Sequence, residues 1–146
     1  MKRTKLRVAG HSAVSEQKRD IQALVRAIVI KRDGGCILRN IRFCNDPVFQ
    51  ADHLITRSNS ATYADTRLII CLCRSCHGWK KWNEKQYDAL VKTLISKDRI
   101  KLWDACLKDS WKPIRTSTQD WGMAIIALNQ ELKSYEQVRD VQQDIT

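Results

Sequence analysis

Two cysteine pairs bracket an acid-histidine step in this chain: Cys36 and Cys44 with seven residues between them, then Asp52-His53, then Cys73-Arg74-Ser75-Cys76 with His77 directly after. A two-residue gap lets both sulfurs turn toward one ion, and an upstream pair can supply the other half of a tetrahedron. Cys36, Cys44, Cys73 and Cys76 are therefore the expected ligands of a structural zinc. No other feature constrains the fold as much, because the chain must return to its own earlier loop to close the site, and the bound ion then contributes folding free energy directly. Cys71 competes with Cys73, since residues 71 and 73 of a strand share a face. Cys73 is preferred for its partner two residues on, and Cys71 and Cys106 read as buried small hydrophobes. A set made of Cys71, Cys73, Cys76 and His77 leaves too little chain to wrap an ion.

A zinc held by four thiolates leaves Asp52, His53 and His77 free for a second, open site. A carboxylate oxygen and an imidazole nitrogen, with other positions open to water and phosphate, suit a hydrolytic divalent ion such as Mg²⁺, Mn²⁺ or Zn²⁺. Neighbours on a regular strand face opposite ways, so Asp52 and His53 are expected to share a site only where the chain turns. The polar run Arg57–Thr62 offers that turn.

Around these motifs the pattern predicts an α+β domain. Ile21, Leu24, Val25, Ile28 and Val29 recur at helical spacing over 15–32, ahead of the stop signal Gly34-Gly35. Residues 36–55 read as short strands, and Leu68–Leu72 as a buried one. Tyr87, Leu90, Val91, Leu94 and Ile95 mark a helix from Asn83. Ile100, Trp103 and Leu107 mark another, and Pro113 breaks the chain. A last helix over 118–135 carries Trp121, Ile125, Leu128, Leu132 and Tyr135, a row suited to packing or to a homodimer seam. The expected organisation is a basic arm (1–14), one domain (15–137, with its core at 36–82 and a helical extension at 83–137) and a polar tail (138–146).

The formal charge of +10 is unevenly placed: residues 1–82 hold 16 Lys and Arg against 6 Asp and Glu, and residues 83–146 hold 10 of each. An excess confined to the cysteine-bearing half favours a polyanionic partner, because each neutralised phosphate releases counterions. No run reaches the apolar length of a membrane span, and Met1–Lys5 lacks a secretory apolar stretch, so a cytoplasmic location without membrane contact is expected. Nothing matches a Gly-rich phosphate loop or a Gly-x-Ser-x-Gly elbow.

The order of Cys pair, Asp-His, Cys-x2-Cys-His and trailing Lys resembles the HNH endonucleases, which share a ββα-metal fold. Over residues 36–82 it is similar in particular to small nuclease-like proteins of lambdoid prophages. The resemblance implies a phage- or prophage-encoded DNA endonuclease in a bacterial host, acting in recombination or processing. In that family the positions of Asp52 and His77 hold the catalytic metal and that of His53 is the general base. Arg57, Arg74, Lys80 and Lys81, with the first amides of the helix near Cys76, lie where the family touches the phosphate backbone. The family's asparagine, nine positions before the last histidine, falls on Leu68. Asn59, Ser60 and Asp65 are the candidates to replace it. Two further readings are a zinc-ribbon DNA-binding module without catalysis and an RNA-directed nuclease.

Overall fold

The computed structural model describes residues 13–57, 61–109 and 117–143, with side chains to residue 138. Residues 1–12 of the expected arm, Pro113, Asn59 and Ser60 lie outside these residues, and Ala13 and Val14 of that arm belong to the first helix instead. Among those described, five α-helices surround a two-stranded antiparallel sheet.

Helix α1 (Ala13–Asp33) buries Ile21, Val25, Ile28 and Val29 on one stripe. It stops at Gly34, whose φ of +67° suits a residue without Cβ and whose amide bonds to Ile30 O. Strands were expected throughout 36–55, but only Phe49–His53 (β1) is one. Residues 36–42 coil as successive turns, with Arg39 N on Cys36 O and Ile41 N and Arg42 N on Leu38 O. That coil brings Cys44 back toward Cys36, which an extended chain would carry away.

A 3₁₀ turn (Thr66–Leu68) capped by Asp65 leads into β2 (Ile69–Cys73), which pairs with β1 so that Asp52 faces Ile70 and His53 faces Ile69. All five residues of β2 are buried, because the ribbon separates two apolar clusters. Leu68, Ile70 and Leu72 pack with Cys36, Leu38, Tyr87, Val91 and Trp103. Ile69 and Cys71 pack with α1, Tyr63, Trp121 and Leu128. The far edge of β2 is closed by Ile37 N, which donates to Cys71 O, and by side chains. Asp33 accepts from Cys71 N, and Arg32 and Arg99 donate to Ile69 O.

Helix α2 (Arg74–Lys80) follows β2 directly, then α3 (Glu84–Leu94) and α4 (Lys97–Asp109). Helix α5 (Thr118–Gln143) opens on a capping box in which Ser117 and Asp120 exchange bonds between side chain and amide. It runs past Tyr135 into the expected tail, since no Gly or Pro interrupts residues 136–143. The row from Trp121 to Tyr135 faces α1 in the same chain and packs there. Trp121, 3% exposed, centres that contact with Lys18 over its ring and Tyr63 at its edge. Trp121→Ala should cost about 3–5 kcal/mol in denaturant unfolding, the usual range for a buried tryptophan. A loss under about 1 kcal/mol would mean that α5 does not dock there.

Candidate functional site

The coil at 36–44 and the junction of β2 with α2 bring Cys36, Cys44, Cys73 and Cys76 together, with all four sulfurs within 4.8 Å of one another. Cys44 Sγ lies 3.3 Å from Cys76 Sγ and 3.7 Å from Cys36 Sγ. Around an ion with bonds of about 2.3 Å, a tetrahedron of sulfurs has edges of about 3.8 Å, so this cluster could hold a structural metal such as zinc. Burial pushes the Cys44 thiol up to about 11 and raises Cys76 as well. Burial also opposes ionisation of Cys73, but the Cys76 amide and the neighbouring thiols outweigh it and bring that thiol below its ordinary value.

Cys71 is fully buried in the other cluster. Residues 71 and 73 were expected on one face. However, Cys73 ends the strand as the N-cap of α2, with its Sγ accepting from Cys76 N, and that turn sends the two sulfurs to opposite sides. The set that included His77 is also excluded, because His77 turns toward Asp52. Cys106 is half-buried against the first cluster.

Asp52 points into the first cluster from β1, and its side chain is 4% exposed. Lys80 Nζ lies 2.9 Å from Oδ1 and 2.8 Å from Oδ2. Tyr87 OH donates to Oδ2, and His77 Nε2 stands 3.4 Å from Oδ1. Burial alone would raise this carboxyl; the contacts of His77, Lys80 and Tyr87 hold it below the ordinary carboxylate value. Two ligands each about 2.1 Å from one ion, at a near-tetrahedral angle, stand about 3.4 Å apart. The Asp52–His77 separation matches that spacing, as it matches an ordinary contact between the two side chains.

His53 leaves the opposite face of β1, as alternation requires, at the last residue of the strand before the chain bends. The outer edge of β1 borders a cavity of about 610 Å³ whose lining includes Asp52, His53, His77, Arg57, Tyr63 and Arg26. The strand edge opens to both of its faces at once. His53 Nε2 is 3.0 Å from Tyr63 O. A carbonyl only accepts, so Nε2 carries the proton and the neutral ring keeps its lone pair on Nδ1. Burial, helped by the Arg57 charge, outweighs the Tyr63 carbonyl and lowers the His53 pKa from its ordinary 6.5.

The expected phosphate contacts separate. Arg57 lines the cavity and Lys81 is exposed at the end of α2. Arg74 remains exposed while pairing with Asp46 at 3.0 Å. Lys80 turns inward to Asp52. The first amides of α2 are already used, Arg74 N by Val48 O and Cys76 N by Cys73 Sγ. Of the candidates to replace the asparagine, Asp65 is engaged by Arg67 and by its own cap, and Leu68 is buried. Trp79 packs in the core under Arg42, whereas Trp82 is 88% exposed.

Tyr87 and the backbone oxygen of Tyr63 are the site groups that the sequence pattern passed over. Tyr87 read as one apolar position of an amphipathic stripe, and only its hydroxyl, on the stripe's innermost residue, hinted at a polar partner. Comparisons of the chain with protein-family models, with curated proteins and with solved structures find no match.

Proposed function

We propose that this protein is a metal-dependent endonuclease of the HNH type, hydrolysing phosphodiester bonds in DNA. The observation that carries the reading is Asp52 Oδ1 and His77 Nε2, 3.4 Å apart at the edge of a cavity that His53 also lines. Asp52 and His77 hold the catalytic divalent ion, Mg²⁺, Mn²⁺ or Zn²⁺, which when bound supplies charge stabilisation at the scissile phosphate and the departing oxygen. His53 Nδ1 takes a proton from water as the water oxygen bonds to phosphorus and the bond from phosphorus to the 3′ oxygen breaks. The Tyr63 carbonyl fixes the imidazole tautomer that this requires. Arg57 offers its guanidinium to a phosphate oxygen, and Arg74 and Lys81 extend the basic surface along the strand. The four-thiolate zinc braces the junction that carries His77. A phage or prophage origin and a role in recombination or processing follow from the same resemblance.

One observation favours the DNA-binding module without catalysis: the Asp52 carboxylate is already bonded by Lys80 and Tyr87. Supercoiled plasmid incubated with the zinc-loaded protein and Mg²⁺ or Mn²⁺ separates the two. Nicked product that disappears with EDTA supports the nuclease, while intact plasmid retarded in a gel supports the binder. The same reaction carries a pH signature. The His53 pKa is lowered, so the base stays neutral to below pH 6.5, and the acidic limb of the rate profile should fall there. A nearby cation would push it further the same way. A limb centred above pH 7 would remove His53 as the base.

A further inference from the structure

A carboxylate that is 4% exposed needs a counter-charge, and Asp52 has one already. Lys80 reaches across from α2 and places its ammonium within 2.9 Å of Oδ1 and 2.8 Å of Oδ2, with its stem over the Tyr87 ring at 4.6 Å from Nζ to the centroid. His77 approaches the same Oδ1. The ammonium thus occupies the metal-facing oxygen of the pair read above as the metal site.

We propose that Lys80 is a resident cation that exchanges with the divalent ion on Asp52. This rests on the reading of Asp52 and His77 as a metal site. A divalent ion on Oδ1 would repel an ammonium on the same atom, and the 4% exposure of the carboxylate limits the screening between them. Lys80 therefore leaves when the ion enters. Tyr87 keeps Oδ2 and the carboxylate's orientation throughout, so the pocket does not reorganise. Lys80 sits on the last turn of α2 with its side chain 23% exposed, and once released its charge is free for solvent or a substrate phosphate. Its role is positioning: it holds a buried carboxylate ionised and aimed until the metal arrives, and it sets the affinity the metal must exceed.

Mn²⁺ binding to zinc-loaded protein tests this without any cleavage assay. Calorimetry and the electron paramagnetic resonance of free Mn²⁺ should show Lys80→Met binding about tenfold tighter than wild type, the effect of removing one competing charge-assisted contact. Lys85→Met, which removes a charge from exposed α3, should stay within about twofold, and His77→Ala should lose the site. In wild type, acylation of Lys80 read by mass spectrometry should rise when Mn²⁺ is added. This second readout decides the matter if Lys80→Met fails to fold. Affinity in folded Lys80→Met no tighter than wild type, or Lys80 acylation unchanged at saturating Mn²⁺, overturns the exchange and leaves the metal site standing. No Mn²⁺ binding by wild type or Lys80→Met removes the metal site itself.

Discussion

Cys73→Ser, or chelation of the metal from the zinc-loaded protein, should abolish cooperative unfolding altogether. Structural zinc in small domains contributes about 10–16 kcal/mol of apparent binding free energy, against a whole-domain stability of about 5–15 kcal/mol. The metal term is therefore as large as everything the fold retains, and this chain concentrates its effect. Cys36, Cys73 and Cys76 are all members of the first apolar cluster, so losing the ion leaves unpaired thiols inside a core that also contains Leu38, Ile70, Leu72 and Tyr87. Circular dichroism with zinc analysis checks it. Cys71→Ala is the informative contrast: a fully buried cysteine in the other cluster, it should lower stability by about 1–3 kcal/mol and leave zinc content unchanged. A Cys73→Ser protein that melts like wild type would remove the four-thiolate site.

His53→Ala should lower single-turnover cleavage by about 10²–10⁴-fold, the range for losing a positioned general base. Mn²⁺ affinity should change little, because Asp52 and His77 are untouched. Asp52→Asn should give a loss at least as large by a different route, with Mn²⁺ binding lost as well. The pattern of these two variants assigns the roles better than either rate alone. Wild-type cleavage by His53→Ala would transfer the base to another group. Its stability should move modestly, since the ring is half-buried and, among the described residues, its hydrogen bond is to Tyr63 O.

Local signals in the sequence located most of the elements. The i, i+3, i+4 stripe of α1 and its Gly34 stop are visible because a helix writes its burial at fixed spacing. The cysteine set was legible for the same reason, as ligand spacing is a local property. What stayed hidden depends on long-range register. Residues 36–48 resembled strands, but 36–42 coil in successive turns that bring Cys44 back toward Cys36. Lys80 looked like a surface cation because nothing nearby in the chain shows that it lies 2.8 Å from Asp52 Oδ2, the contact being fixed by how α2 crosses β1. Alternation in the Asp52-His53 step says that the two side chains leave opposite faces of β1, but not that both border one cavity.

The partner of His53 is a main-chain oxygen, and that places it beyond the reach of point substitution. Any residue at position 63 presents the same atom, so the imidazole's aim depends on the path of the segment from Thr62 to Asp65. Swapping the peptide oxygen's acceptor strength by thioamide synthesis, rather than by genetics, is the way to weaken that hold.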